Sequence, residues 1–342
     1  MKQLKFFAAA IISVLALSIT GLITAAAETV LTISSWAPPT HAINAVVWPA
    51  WGKLIEEATE GRVTTKIEYN LAPPPAQMDL IRDGVADVAW MFHGYNPGRF
   101  VLTKAVELPG LGTNAEAASV AYWRVYEKYF AAANEHEGVT VVGLTSHGPG
   151  IIHTKAPISK LEDLKGLKIR IGGGVSAGVG ELLGVVGVQV PAPKVYETLA
   201  QGVADGIFMP METKKSFRLK EVAPYSMIMP GGLYYGSFAF VMNTDTLDGL
   251  GEKDRAAVLS VSGEVLSRIA GKAWDEADAA GLEDAIASGN TIVTASDDIA
   301  KQYSELVAPL ETAWIEEAKA KGVDAEAALA ELRDIARNYK SE

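Results

Sequence analysis

The sequence predicts an α/β protein with two similar lobes, and three observations support this prediction. Short runs rich in β-branched and aromatic residues alternate with segments of helical periodicity, a pattern typical of α/β folds. One arrangement of prolines, glycine and aspartate occurs twice, once in each half of the chain. The chain also has 342 residues, which is enough for about two domains that each bury a core.

Five segments are predicted as strands from their β-branched and aromatic content: 31–36, 64–69, 85–92, 140–145 and 167–171. The segment 42–59 is predicted as a helix because its apolar residues recur at spacings of three and four positions. We expect Thr40 to cap this helix and Gly61 to end it. Pro49 either kinks the helix or marks its true start, because proline lacks the N–H that a helix interior needs.

The repeated arrangement has two prolines followed by the residues Gly-Val-Ala-Asp. It comprises Pro73, Pro75 and 84–87 in the first copy, and Pro191, Pro193 and 202–205 in the second. Each copy predicts a proline-rich bend after a strand, a short helix, a left-handed glycine and a new strand that begins at the valine. Trp90 and Phe208 follow the two aspartates near the carboxyl ends of the new strands, where open α/β sheets bind ligands. We therefore predict a cleft between two lobes that closes on a small molecule.

Composition excludes several classes of protein. The 30 Lys and Arg against 41 Asp and Glu give a net charge of −11, which is the wrong sign for a nucleic-acid partner. The absence of cysteine excludes disulfides, cysteine-ligated zinc, iron–sulfur clusters and a thiol nucleophile. The sequence also has no HExxH motif, no Walker A loop and no well-placed GxGxxG motif. We therefore predict no metal and no cofactor.

The first 27 residues have the pattern of a secretory signal peptide. Lys2 and Lys5 precede an apolar run over about 6–25, and small residues lead to a predicted cleavage site near Ala27. The mature chain is then expected to begin near Glu28 and to be exported. An uncleaved membrane anchor is the alternative, because the run is about long enough to span a bilayer.

Residues 174–178 match the GxSxG pattern of serine hydrolases and follow a predicted strand. All five histidines precede Ser176, whereas in the α/β-hydrolase fold the catalytic histidine follows the nucleophile. We therefore predict that the protein is not an enzyme, and a hydrolase that uses Ser176 in another arrangement is the alternative. We interpret the glycines at 172–174 as allowing the backbone to approach a ligand, and Ser176 as starting a helix.

Arg170 is the strongest candidate for an anion-binding residue. It lies near the end of the predicted strand 167–171, just before the glycine run and a predicted helix N-terminus. A guanidinium forms two parallel charge-assisted hydrogen bonds with a carboxylate, and the amides of a helix N-terminus add positive partial charge. A structural salt bridge with one of the many acidic residues is the alternative.

The segments 161–170 (LEDLKGLKIR) and 195–206 (VYETLAQGVADG) resemble the signature of the periplasmic solute-binding subunits of TRAP transporters, the DctP family. Further resemblance covers nearly the whole mature chain, at 38–41, 94–100, 108–110 and 242–243. In such proteins the arginine of the matched motif clamps a substrate carboxylate, and that position is Arg170. The resemblance implies a periplasmic receptor, expected as a monomer, whose partners are a small organic acid and the TRAP integral-membrane permease subunits.

The resemblance also implies a two-lobed periplasmic binding protein fold, type II-like, with the ligand cleft between the lobes. The chain is expected to cross between lobes near His147 and to return near Ser237, and a long lobe-spanning helix is expected at 252–287. We assign 28–147 with 237–275 to the first lobe, and 148–236 with 276–342 to the second.

Departures from the family pattern limit the kinds of ligand that we expect. Met209 occupies a position where many relatives have an asparagine that contacts the ligand, and 146–150 contains no second arginine or lysine. The site is therefore predicted to be apolar and aromatic with one anion anchor, and its ligand to be a monocarboxylate with an apolar or aromatic body. The candidate ligand-binding residues are Arg170, Trp36, His41, Trp90, Phe92, Tyr95, Phe208, Met209, Glu212, Tyr234 and Tyr235.

A zwitterion such as a betaine-like or ectoine-like solute is the alternative ligand. Trp36, Trp90 and Tyr95 would then form an aromatic box around a cationic group. Arg170 would bind the carboxylate of this ligand, with assistance from Glu212. His41 is a candidate hydrogen-bond donor to a hydroxyl or keto oxygen, and stabilisation of its own turn is the alternative role.

Overall fold

The computed structural model describes residues 28–341, so the predicted signal peptide lies outside the described residues. The strands, in chain order, are β1 (Thr29–Ser35), β2 (Val63–Tyr69), β3 (Val88–Phe92), β4 (Thr140–Ser146), β5 (Ile151–Thr154), β6 (Lys168–Ile171), β7 (Val186–Gln189), β8 (Gly206–Met209), β9 (Tyr225–Ile228), β10 (Ser237–Met242) and β11 (Thr291–Thr294). The five predicted strands correspond to β1, β2, β3, β4 and β6.

Helices connect these strands and cover their faces. In chain order they are α1 (Trp48–Ala58), α2 (Gln77–Arg82), α3 (Ala115–Val125), α4 (Val175–Leu182), α5 (Val195–Ala200), α6 (Thr213–Ser216), α7 (Thr244–Gly249), α8 (Glu252–Ser260), α9 (Glu264–Ala287), α10 (Asp297–Ala320) and α11 (Ala325–Asn338). Among the residues from 28 to 341, no helix combines the length and apolarity needed to cross a lipid bilayer.

The strands form two sheets with the same internal order. The first sheet has the order β2-β1-β3-β10-β4, and the second has the order β11-β9-β5-β8-β6-β7. In the first sheet, β2, β1 and β3 are parallel and β10 lies antiparallel between β3 and β4. In the second, β7, β6 and β8 are parallel and β5 lies antiparallel between β8 and β9. The predicted two-lobed α/β fold is therefore confirmed, with one sheet in each lobe.

The repeated Gly-Val-Ala-Asp arrangement occupies the same place in each lobe. Its glycines, Gly84 and Gly202, have φ of 70° and 74° and follow the short helices α2 and α5, as predicted. The new strands begin after the aspartate, at β3 and β8, and not at the valine. Val85 and Val203 lie in exposed turns, because the chain must still rotate after the left-handed glycine before it joins the sheet.

Each aspartate of the repeat joins its strand to the neighbouring parallel strand. The backbone N–H of Asp87 donates to the Thr32 carbonyl (2.9 Å), and its Oδ2 accepts from the Thr32 N–H (2.7 Å). Asp205 forms the same pair with Lys168, at 2.7 and 2.9 Å. The repeated motif therefore fixes how β3 starts beside β1 and how β8 starts beside β6.

Within residues 28–341 the chain passes between the lobes several times. The chain passes from β4 of the first sheet to β5 of the second at 147–150, and from β9 of the second sheet to β10 of the first at 229–236. Helix α9 also links the lobes, since it packs against α3 and β4 of the first lobe and against α6 of the second. Helix α11 packs on α3, although the predicted division places 276–342 in the second lobe. The boundaries of the lobes remain a prediction.

Helix α9 approaches both lobes at glycines. A Cβ atom at Gly271 would lie 2.5 Å from Glu116 Cα, at the start of α3. A Cβ atom at Gly281 would lie 2.4 Å from the carbonyl oxygen of Met211, just before α6. Only residues without a side chain allow backbone contact this close, so α9 is seated directly on the backbone of each lobe.

One cluster of buried apolar side chains extends from the first lobe to the second. It includes Trp48, Trp51 and Phe240 beside the first sheet, and Leu199 and Ile207 beside the second. The same cluster contains aromatic residues at the carboxyl ends of the strands. The cleft between the lobes is therefore lined by core residues of both lobes.

Two predicted helices differ from the structure at their ends. The predicted segment 252–287 is divided into α8 and α9, because Gly263 has φ of 62° and donates its N–H to the Val142 carbonyl at 2.7 Å. The long helix therefore starts at Glu264. The predicted segment 42–59 begins as a π-helical turn, Ile43–Val47, and continues into α1.

Pro49 lies in the first turn of α1 and so marks the start of the regular α-helix, as predicted. Gly61 adopts φ of 78° after that helix and donates its N–H to the Glu56 carbonyl, which confirms it as the stop. Thr40 is not the cap, because Ala42 precedes the first helical residue and no side chain caps that end.

We expect Gly263→Ala to destabilise the protein more than Gly61→Ala. Both positions have positive φ, which costs an L-residue roughly 1 to 2 kcal/mol. A Cβ atom at Gly263 would also lie 2.8 Å from Trp123 Cζ2, whereas one at Gly61 meets no atom within 4 Å. This overpacking should increase the loss in the free energy of unfolding by roughly 1 to 3 kcal/mol, as measured by urea unfolding. Equal losses in the two variants would show that the Trp123 ring moves aside freely.

Candidate functional site

A cavity lies between the lobes, at the carboxyl ends of β1, β3, β6 and β8. This is the edge of the sheets where the sequence predicts a ligand. Nine of the candidate residues line this cavity: Trp36, His41, Trp90, Phe92, Tyr95, Arg170, Met209, Glu212 and Tyr234.

Arg170 supplies the positive charge of the cavity. It lies within β6 and is 2% exposed. Its Nε donates to the Val190 carbonyl at 2.9 Å, and its Nη2 donates to the Tyr95 hydroxyl at 3.4 Å. No carboxylate within 28–341 forms an ion pair with it, so the predicted alternative of a structural salt bridge has no partner there. A guanidinium has five N–H donors, and the remaining ones are available to an anion.

Tyr95 joins the two lobes next to this guanidinium. It lies in a short turn, His93–Tyr95, that follows β3 of the first lobe. Its hydroxyl oxygen accepts from the backbone N–H of Ala192 at 2.8 Å and from Arg170, both in the second lobe. Because both contacts use the oxygen as acceptor, the hydroxyl hydrogen is directed elsewhere and can donate to a ligand anion.

Aromatic rings form one wall of the cavity. Trp36 and Trp90 stack with ring centroids 4.2 Å apart and an interplanar angle of 13°, and Trp36 Nε1 donates to the Trp90 carbonyl at 3.1 Å. Phe238 also stacks on Trp90, at 5.1 Å, and Phe92 meets Tyr95 edge to face at 4.9 Å. This stack is not the box around a cation that the alternative ligand requires, because no ligand atom fits between Trp36 and Trp90 at this spacing.

His41 and Glu212 form a second polar region of the cavity. His41 Nε2 lies 3.9 Å from Glu212 Oε1, and both side chains are buried. Burial lowers the pKa of His41 to about 3 and raises the pKa of Glu212 to about 8. At neutral pH both groups are therefore predominantly uncharged.

His147 also lines the cavity and carries no charge at neutral pH. Burial lowers its pKa to about 4, and the charge of Arg170 contributes to this shift. Its Nδ1 donates to the Gly148 carbonyl at 2.5 Å. Arg170 is therefore the charged group among the described residues that line the cavity, and one anionic group on a ligand balances it.

The structure does not bring Phe208 and Tyr235 to the cavity. Side chains alternate between the two faces of a strand, and Met209 lines the cavity, so Phe208 points to the opposite face and packs in the core. Tyr234 and Tyr235 both lie in the connection 229–236 between the lobes. Tyr234 lines the cavity, whereas the hydroxyl of Tyr235 donates to the Thr113 carbonyl at 2.7 Å.

Seven further residues line the cavity and were not among the candidates. They are His147, Gly172, Ala192, Pro210, Phe217, Phe238 and Trp274. Two of these residues could have been predicted from the sequence, His147 from its place at the expected crossing between lobes and Gly172 from its place in the glycine run. Trp274 is in the middle of α9, and only the packing of that helix across the lobes decides which of its faces meets the cavity.

The glycine run brings the two lobes into contact. Gly173 has φ of 107°, and a Cβ atom there would lie 2.1 Å from the Gly94 carbonyl oxygen of the first lobe. At the start of α4, the Val175 N–H donates to Glu107 Oε2 at 2.7 Å, and the other oxygen of Glu107 accepts from Ser237 Oγ. Gly172 alone of the three glycines lines the cavity, while its two neighbours allow close contact between the lobes.

Ser176 has a structural role at the start of α4. Its Oγ donates to the Gly173 carbonyl at 2.7 Å, and the side chain is buried. No histidine of the part of the chain that the structure describes hydrogen-bonds to it. Within the same residues no group of three or more histidines or carboxylates could hold a metal ion.

We expect the free energy of unfolding to fall as pH rises from 7 to 8. Burial raises the pKa of Glu107 and of Asp278 to about 7, alongside that of Glu212 near 8, whereas the buried histidines have lowered pKa values. At pH 7 roughly a quarter of each histidine is still protonated in the unfolded state, and this fraction opposes the trend by a smaller amount than the carboxyl groups contribute. The three carboxyl groups are ionised when unfolded and still partly protonated when folded, so raising the pH favours unfolding.

Urea unfolding at several pH values measures this dependence, and Glu212→Gln should flatten it because glutamine does not titrate. A stability that rises from pH 7 to 8 would contradict the expectation.

Comparison with known proteins identifies the family. The model of the DctP family, bacterial extracellular solute-binding protein family 7, matches residues 33–317. The outer membrane transporter protein TsaT of Comamonas testosteroni is 32% identical over 303 residues, which cover 87% of this chain and 89% of TsaT.

Two solved structures share the whole fold. A TRAP periplasmic solute-binding protein from Bordetella bronchiseptica, with bound (R)-mandelate and (S)-mandelate, is 41% identical with a TM-score of 0.88, covering 91% of this chain and 99% of that one. A TRAP solute-binding protein from Rhodoferax ferrireducens, in complex with copurified benzoate, is 29% identical with a TM-score of 0.85, covering 91% and 98%. The chain therefore belongs to the DctP family of extracellular solute-binding proteins, the receptors that serve the membrane permeases of TRAP transporters.

Proposed function

We propose that this receptor binds an aromatic monocarboxylate and delivers it to a TRAP permease. The observation that carries the proposal is the buried guanidinium of Arg170, which has no carboxylate partner among the described residues and lies beside an aromatic wall. A buried charge is costly unless it is paired and hydrogen-bonded. A ligand carboxylate satisfies both conditions, and the aromatic rings cover its body.

The electrostatics of the cavity favour one carboxylate over two. His147 and His41 are neutral at physiological pH, so a second carboxylate has no cation to pair with. The relatives with bound mandelate and benzoate support the same class, because both ligands are aromatic monocarboxylates.

A zwitterionic ligand is less well supported. Trp36 and Trp90 cover each other, and Glu212 is uncharged at neutral pH, so neither a cage nor a counter-ion is present for a cationic group. Hydrolysis at Ser176 is also less well supported, because its hydroxyl is bonded to Gly173 at the start of a helix. We therefore propose that the chain acts as a receptor and not as an enzyme.

The proposal includes the cellular context. The chain is exported to the periplasm, its signal peptide is cleaved near Ala27, and it functions as a monomer. Binding of the acid shifts the receptor from an open to a closed state, because Arg170 and Tyr95 come from different lobes and contact the same carboxylate only when the cleft is closed. The closed form then docks on the permease.

We expect Arg170→Ala to weaken the binding of aromatic monocarboxylates by about 2 to 5 kcal/mol, because it removes one partner of a desolvated charge pair. Isothermal titration calorimetry with (R)-mandelate and benzoate measures the loss. Arg124→Ala is the matched control, because Arg124 pairs with Glu264 on the surface, away from the cavity. If an acid binds the wild type and this variant equally well, Arg170 is not its anchor.

We also expect Gly173→Ala to weaken binding by preventing full closure of the cleft. The new Cβ would lie 2.1 Å from the Gly94 carbonyl oxygen, so the lobes must separate to accommodate it. Gly98→Ala is the control, because Gly98 also has positive φ but a Cβ atom there would meet no atom within 4 Å. In calorimetry we expect the affinity of Gly173→Ala to be about tenfold or more below that of the wild type, which corresponds to roughly 1.4 kcal/mol. Gly98→Ala should keep the affinity of the wild type. Equal affinities of the two variants would contradict closure through this contact.

A further inference from the structure

His41 and Glu212 face each other across a gap in the cavity wall. His41 Nε2 and Glu212 Oε1 are 3.9 Å apart, which is beyond hydrogen-bond distance. The side chains are 1% and 3% exposed, so bulk water does not solvate them freely. Within 28–341 the structure gives neither atom a hydrogen-bond partner. Two polar atoms of buried side chains therefore face the same part of the cavity.

The hydrogen-bonding state of His41 follows from its other ring nitrogen. Nδ1 accepts a hydrogen bond from the backbone N–H of Ile43 at 3.2 Å. A neutral imidazole carries one N–H, so the hydrogen of His41 resides on Nε2. Burial keeps the ring neutral by lowering its pKa to about 3. His41 therefore presents a hydrogen-bond donor to the gap.

Glu212 presents its other carboxyl oxygen to the same gap. Its Oε2 accepts from Ser216 Oγ, which leaves Oε1 as the atom opposite His41. Burial, with the negative charge of Asp278, raises the pKa of Glu212 to about 8, so the group is predominantly uncharged at neutral pH. Asp278 itself accepts from the Glu212 backbone N–H at 2.7 Å and does not enter the gap.

The gap is separated from Arg170 by the aromatic wall. Arg170 contacts Tyr95, and Tyr95 meets Trp36 at a centroid distance of 6.2 Å. Trp36 stacks on Trp90, and Trp90 lies 5.5 Å from the His41 ring. A ligand whose carboxylate binds Arg170 and whose ring lies along this wall thus extends toward the gap.

We infer that the gap between His41 and Glu212 binds a hydroxyl group at the end of the ligand remote from its carboxylate. The hydroxyl oxygen accepts from His41 Nε2–H, and the hydroxyl also pairs with Glu212 Oε1, as acceptor from the protonated carboxyl group or as donor to the ionised one. An oxygen on the cavity side of the line that joins the two atoms can lie about 2.8 Å from each of them. This inference rests on the proposed function and narrows its ligand to a hydroxylated aromatic monocarboxylate.

A hydroxyl suits the gap better than other polar groups. It donates and accepts at once, so it pairs with Glu212 in either protonation state, whereas a carboxylate pairs only with the protonated form and a cationic ammonium cannot accept from His41. A site built to hydrogen-bond a hydroxyl discriminates against the analogue that lacks it, because buried polar groups are then left unpaired.

The test compares benzoate and phenylacetate with their 3-hydroxy and 4-hydroxy derivatives by calorimetry. The wild type should bind the best hydroxylated acid at least about tenfold more tightly than it binds the parent acid. In Glu212→Met and in His41→Phe the ratio of the two affinities should fall to about one, because each variant removes one partner of the hydroxyl. Glu116→Met, which removes a buried carboxyl group outside the cavity, should retain the wild-type ratio.

Two outcomes overturn the inference and leave the proposed function intact. One is equal affinity of the wild type for every parent and its hydroxylated derivatives, which would mean that water occupies the gap. The other is a preference for hydroxylated acids that survives in both Glu212→Met and His41→Phe. Failure of all six acids to bind the wild type would instead overturn the proposed function itself. Since Glu212→Met and His41→Phe alter different lobes, a folding defect in one leaves the other as the test.

Discussion

The buried charge of Arg170 is the constraint on which the organisation of the cleft depends. A guanidinium that is 2% exposed needs an anion, and the structure supplies none from residues 28–341. The surrounding groups instead fix its position: Val190 holds Nε, and Tyr95 approaches Nη2 from the other lobe. The apolar walls lower the local dielectric, so a carboxylate that enters the cleft interacts more strongly than it would in water. Under the proposed function, affinity and closure therefore both depend on this side chain.

The rest of the cavity divides recognition into charge and hydrogen bonding. Because His41, His147 and Glu212 are uncharged at neutral pH, they do not compete with Arg170 for the carboxylate. They still offer donors and acceptors, which distinguish ligands of the same charge. The aromatic wall between these two regions sets a distance between the groups that a ligand can present. Under the proposed function, selectivity among aromatic acids therefore depends on where their polar groups lie, and less on their size alone.

Sequence patterns predicted the features that depend on local chemistry. The repeat with Asp87 and Asp205 is visible because the same backbone requirement recurs in each lobe. Arg170 is visible because its strand, glycine run and helix are adjacent in the chain. The assignment of Phe208 failed because a shift of one residue along a strand moves a side chain to the opposite face. Trp274 was missed because its role depends on how α9 packs between lobes, which no local pattern records.

The seating of α9 on both lobes has a mechanical consequence. Gly271 holds the helix against the backbone of α3, and Gly281 holds it against the segment just before α6. A continuous α-helix resists bending, so α9 keeps its two points of attachment at a fixed distance from each other. Opening of the cleft must then flex the span between these glycines or release one attachment. Trp274 lies within that span and contributes to the cavity wall, so the curvature of α9 and the shape of the cavity change together.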